Sequence, residues 1–282
     1  MLCLLAALLG RQQWVEPKFE NVIPNGPVTA VVRKNDRYPL WDQDNTGKWR
    51  PFSPMCDEFR GKRLDWTKWA DFSTTWHGRV PGWFDPDNVS LSSGRLTLTT
   101  RLRDAPADLA QQGYRTFSTA VVESVATVLY GAFEIRAKPM KSAASSSFWF
   151  FNVQPTTWTE IDIFELGAGA KDHERRDQMT VHIWRTPAIK EHHSVGGEWI
   201  YDHDFADDYH VYGFEWNPKE IRWYFDGVLV RRGQNLFWHQ PLKMCFDSET
   251  MPEWFGLPNS KDLPSTFSID YVRAWKPANL RQ

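Results

Sequence analysis

The stretch Thr159–Gly167, TEIDIFELG, sets Glu160, Asp162 and Glu165 into an apolar run of Ile161, Ile163, Phe164 and Leu166. Three like charges on a β-branched and aromatic strand are costly to bury unless the resulting pKa shifts have a use. Residues two apart on a strand share a face, so Glu160 and Asp162 point one way and Glu165, three further on, points the other. One residue inserted as a bulge near Ile163–Phe164 would bring all three acids to one face, and bulges are common beside active sites. Two carboxyl groups about 5–5.5 Å apart can share a reaction at an acetal carbon, one as nucleophile and one as acid/base. A third acid between them helps to separate the two pKa values. The competing reading is a solvated acidic face on an edge strand, and the flanking apolar residues weigh against it.

The elements around this strand read as many short strands parted by turn signals. NVSLSSGRLTLTTRLR has a turn at Ser92-Ser93-Gly94 followed by alternating Leu and Thr. STAVVESVATVLYGAFEIRAKPM gives two or three strands broken at Gly131. In HVYGFEWNPKEIRWYFDGVLVRR, Asn217-Pro218 and Asp226-Gly227 stand where hairpin turns belong. PADLAQQGY is the one short helical candidate, and residues 15–50, rich in Pro, Asn, Asp and Gly, read as an irregular wrapping arm. Short strands without a repeat period predict an all-β fold, an antiparallel β-sandwich or jelly roll over residues 15–282 as one domain.

Composition narrows the partners. The 282 residues include 16 Trp, 18 Phe and 8 Tyr, more rings than a core requires, which suggests a cleft that stacks flat, weakly polar ligands. With 33 basic against 35 acidic residues the formal charge is −2 and no basic run stands out, which excludes nucleic acid as a main partner. The apolar run Leu2–Leu9 is too short to span a bilayer. It has the length of a signal-peptide core, so residues 1–14 are expected to be a signal remnant and the protein secreted, periplasmic or at the cell surface. Cys56 and Cys245 remain, and an oxidising compartment would permit their pairing. His192, His193, His203 and His210 cluster with several Asp residues, in a spacing that fits no zinc ligand set and reads as a polar loop beside the cleft. Asn88-Val89-Ser90 matches a glycosylation acceptor, and a coincidental match is the better reading.

EIDIFE resembles the Glu-x-Asp-x-x-Glu signature of glycoside hydrolase family 16 in its bulged form. The likeness extends through YGAFEIRAKPM, SSSFWFF, the later hairpin and FSIDYVRAW, roughly residues 48 to 276. It implies a curved two-sheet, concanavalin-like jelly roll with a polysaccharide groove on the concave face, and endo-acting retaining hydrolysis. Carried over by position, Glu160 would be the nucleophile, Asp162 the assisting acid, Glu165 the acid/base and His182 a supporting histidine. No catalytic cofactor is implied. A structural calcium on the convex side is, with Asp270 matching one ligand.

The segment before the acids looks most like the agarase and porphyranase side of that family, which implies β-1,4 galactosidic linkages of red-algal galactans, sulfated or not; a monomer is expected. Trp149 and Trp158 are the first candidates for sugar stacking, then Trp76, Trp83 and Trp184. Arg79 and Arg185 are candidates to hold a sulfate or ring hydroxyl through their planar donor forks. A β-1,3-glucanase, a κ-carrageenase-like hydrolase, a transglycosylase and a non-catalytic lectin are the other readings of the same fold.

Overall fold

The computed structural model describes residues 14–278, so the expected signal segment lies outside the described residues except for Trp14. Two antiparallel sheets face each other. The first runs in the order Trp69–Ala70, Phe117–Ser124, Lys243–Ser248, Ser146–Val153, Trp158–Leu166, Arg176–Arg185 and His193–Ile200. The second runs Phe19–Asn21, Val228–Gln234, Glu220–Phe225, His210–Trp216, Gly131–Lys138, Ser265–Pro277, Arg95–Leu102 and Val89–Ser92. They join at one edge, where Arg101–Leu102 pairs with Phe117–Ser118. The all-β expectation is met, and the one α-helix among the described residues, Ala107–Ala110, lies within the predicted segment.

The turns form where their residues permit. Ser93-Gly94 and Asp226-Gly227 both have positive φ at the two positions, 54° and 71° and then 48° and 82°. That is the mirror-image turn whose twist suits a two-residue hairpin. Between the sheets, strand alternation sends aromatic residues inward. Phe150 of the first sheet meets Phe214 of the second at 5.4 Å and Phe133 at 4.8 Å, and Phe164 meets Tyr212 at 4.4 Å. Residues 15–50 wrap the second sheet largely without regular structure, as their composition predicts. Trp41 stacks on Tyr224 at 4.2 Å, and Arg33 reaches the buried Glu134 at 2.6 Å.

Three possibilities raised by the sequence fall away here. Cys56 and Cys245 are both free: Cys245 lies on the first sheet, while Cys56 packs against Phe52 and Ala274 beside the second. Asn88 is 1% exposed, with its amide donating to Ser118 Oγ and the Thr119 carbonyl, so it is no glycan acceptor in the folded chain. Asp270 does not fit a calcium ligand, because its oxygens are taken by Arg136 at 2.8 Å and Arg95 at 3.5 Å. Two guanidinium groups already supply the positive charge that a cation would bring.

Candidate active site

The acidic strand Trp158–Leu166 contains the bulge that its spacing demanded. Glu160, Asp162 and Glu165 stand opposite Phe151, Trp149 and Ser147 of the neighbouring strand, positions that are each two apart and so on one face. The register slips between Asp162 and Phe164 on this side, and between Ile161 and Glu165 on the other. Ile163 is the inserted residue, and it turns into the core with Ile161, Phe164 and Leu166. The acids therefore line a single cavity of about 350 Å³ while their apolar neighbours fill the space between the sheets.

Two tryptophans reach through that space and hold the bulged backbone. The Trp238 indole N–H donates to the carbonyls of Glu160 (2.9 Å) and His182 (3.0 Å), and that of Trp223 to the Asp162 carbonyl (3.0 Å). Both rings are buried. His182, opposite Glu160 on the next strand, brings Nε2 to 3.3 Å from Asp162 Oδ2 and 3.9 Å from Glu160 Oε1.

Three further acids, missed in the sequence, close the cluster. Glu249 lines the cavity and pairs with Arg79 at 2.9 Å, and Asp247 accepts from the Trp149 indole at 2.8 Å. Glu123 lines the same wall and pairs with Lys243 at 3.2 Å. The sequence CFDSET repeats the two-residue spacing of Glu160 and Asp162 in an apolar strand, and that spacing was the available signal.

Crowding sets the protonation states. Burial, then the Asp162 charge, push Glu160 up to about 8, with His182 pulling the other way. Burial, followed by Asp162, Glu249 and Glu160, pushes Glu165 well above the usual carboxylate range. Asp162 is likewise raised by burial and Glu249, with Arg79 opposing. A site of this kind can hold a protonated carboxyl beside one that must ionise, which is what acid/base work on an acetal needs. Glu160, Asp162 and His182 also offer one atom each within 4.8 Å of one another.

The walls are aromatic. Trp158 and Trp184 line the cavity with ring centroids 5.0 Å apart, and Trp76 and Trp149 meet edge to face at 6.3 Å. Trp184 stands on the strand to one side of the acids and Trp149 on the strand to the other. The indole N–H groups of Trp158 and Trp184, Asp162 Oδ2 and Asp247 Oδ1 are buried with no hydrogen-bond partner among the described residues.

Two predicted contacts do not reach the cleft. Trp83 is buried against Leu109 and Tyr114, donating to the Arg103 carbonyl, because alternation along Gly82–Phe84 sends Phe84 to the cleft side instead. Phe84 there packs edge-on against Trp76. Arg185 lies over the Trp158 ring at 5.3 Å and donates to the carbonyls of Gln154 and Pro155, so it braces the wall and presents no fork to a ligand. The histidines also separate: His203 pairs with Asp202 and His210 with Asp226, both beside Tyr201, while His192 reaches the cleft through His182.

Comparison with known proteins agrees with this geometry. The family described as "Beta-porphyranase A-D, GH16 domain" matches residues 49–277. Beta-porphyranase E of Zobellia galactanivorans is 32% identical over 81% of this chain and 88% of its own length. The beta-glucanase of Bacillus subtilis is 29% identical over 80% and 85%. The crystal structure of porphyranase B from Zobellia galactanivorans superposes with a TM-score of 0.71 at 28% identity, covering 81% of this chain and 92% of that one. An acid triad on a bulged strand, set in a two-sheet jelly roll and matched from Trp49 to Pro277, makes this chain a member of glycoside hydrolase family 16.

Proposed function

We propose that this glycoside hydrolase is secreted and cleaves β-1,4 galactosidic linkages within red-algal galactans of the agarose and porphyran type by an endo-acting, retaining mechanism. One observation carries the reading: the bulge turns Glu160, Asp162 and Glu165 to one aromatic-walled cavity that also holds a single arginine, Arg79. Glu160 attacks the anomeric carbon while Glu165 gives its proton to the leaving oxygen, forming a galactosyl ester on Glu160. Water then opens the ester with Glu165 taking the proton back. Asp162 shares hydrogen-bonding charge with Glu160, and His182 favours the Glu160 anion.

Trp184 and Trp149, on opposite sides of the acidic strand, support sugar rings bound on both sides of the scissile bond, as an endo-acting enzyme requires. Arg79 supports the sulfated polymer. It lines the cavity with its side chain half exposed, and a guanidinium offers a planar fork to sulfate oxygens. The similarity to named porphyranases points the same way. The similarity to a beta-glucanase favours the second reading, a β-1,3-glucanase on the same triad. Reducing-end release from porphyran, agarose, κ-carrageenan and laminarin, measured side by side, separates them. The proposal expects porphyran or agarose to be cleaved fastest. Laminarin cleaved fastest would favour the glucanase, and binding without product release would favour a lectin.

A further inference from the structure

His192 and His193 are neighbours in the sequence with different surroundings. His193 stacks on Trp14 at 4.3 Å, whereas His192, an exposed residue just ahead of the strand His193–Ile200, turns toward the cleft. The His192 ring lies flat on Trp184, with centroids 3.8 Å apart and 5° between planes, and its Nε2 stands 3.0 Å from Nδ1 of His182. The far nitrogen of His182, Nε2, faces Asp162 Oδ2 and Glu160 Oε1. The charged or titratable groups facing His182 are thus Glu160 and Asp162 on the acidic strand and His192 on the loop.

A neutral imidazole has one donor nitrogen and one acceptor nitrogen, and the bond made at one decides the proton at the other. Asp162 is 3% exposed, and its Oδ2 has no hydrogen-bond partner among the described residues. A buried acceptor calls for a donor. The nearest imidazole nitrogen is Nε2 of His182, at 3.3 Å though not aligned as a hydrogen bond, and a proton on it is the one that faces this oxygen; Nδ1 is then the acceptor. His192 Nε2 must then be the donor across the 3.0 Å contact. The flat stack on Trp184 fixes the ring in the plane that this bond needs.

We infer that His192 is a positioning residue: by donating its Nε2–H to Nδ1 of His182, it holds His182 in the tautomer whose Nε2–H points at Asp162 and Glu160. Its consequence for catalysis rests on the hydrolase reading above; the tautomer does not. A donor aimed at those carboxylates favours the charge that a nucleophilic Glu160 must carry.

Long-range proton–nitrogen spectra of the ¹⁵N-labelled protein at pH 8 test this, with His182 identified by comparison with H182N. Wild type should show Nε2 protonated and Nδ1 bare. In H192F, which keeps a flat ring on Trp184 but has no donor, the two nitrogens should move toward averaged values. Its kcat on porphyran should fall about tenfold, with KM within about twofold, and H192Q, which carries an amide donor, should restore both the shifts and most of kcat. A proton on Nδ1 of His182 in wild type, or unchanged shifts in H192F, would overturn the inference. Should no polysaccharide be cleaved, the hydrolase reading falls while the nitrogen shifts still decide the role of His192.

Discussion

Glu160 carries the sharpest consequence of burying acids together. Burial and Asp162 push it up to about 8, far above an unfolded glutamate, so the folded chain holds a proton that the unfolded chain releases. That contribution to stability is intact below the unfolded value of about 4.3 and is lost as pH rises through 8. E160Q, which has no charge to bury, should therefore melt close to wild type at pH 4 and higher at pH 8, by about 2 °C for each kcal/mol relieved. Melting curves at the two pH values check this. E160Q and E165Q should each fold and lose at least about a thousandfold in kcat on porphyran. At this scale much was legible, since acid spacing on an apolar strand is a physical signal. Glu249 and Asp247 went unread because the strand Lys243–Ser248 carries only one of them inside its span and the other just beyond its end. Trp83 was misread because a Pro- and Gly-rich surrounding marks a loop without saying which side of it faces the cleft.

The acidic strand works as an element because something holds its irregularity in place. Trp238 and Trp223 supply N–H donors to buried backbone carbonyls of the bulged strand and its neighbour. W238F keeps most of the ring and removes the donor shared by the Glu160 and His182 carbonyls. It should lower stability by about 1–3 kcal/mol, the cost of leaving buried polar groups unpaired. Because the same carbonyls set where Glu160 and His182 sit, kcat on porphyran should fall further than KM rises; steady-state kinetics alongside denaturant melts would show it. The hairpins at Ser93-Gly94 and Asp226-Gly227 were readable because those dipeptides tolerate positive φ. The clamp was not, since it joins residues about sixty and eighty positions apart through the core and leaves no local pattern.

Among the described residues, the cavity is lined by five carboxylates, Glu123, Glu160, Asp162, Glu165 and Glu249, and by one arginine. Arg79 neutralises Glu249 while remaining open to the cavity. R79M should cost at least about tenfold in kcat/KM on porphyran and under about threefold on unsulfated agarose, so the ratio of the two rates reads the sulfate contact directly. Chelation with EDTA should leave porphyran hydrolysis unchanged, because Asp270 is held by arginines and the proposed mechanism uses Glu160, Asp162 and His182 without a metal. The sandwich was legible from alternation and turns, whereas the joining of the sheets at Arg101–Leu102 and Phe117–Ser118 depends on long-range pairing that no local pattern reports. The most direct test follows the anomeric proton of the first reducing ends released from porphyran by ¹H NMR. A nucleophilic Glu160 turned by the bulge to the same cavity as Glu165 predicts the β-anomer first, with the α-anomer growing in only by mutarotation. The α-anomer appearing first would contradict a covalent step on Glu160 and the central claim with it.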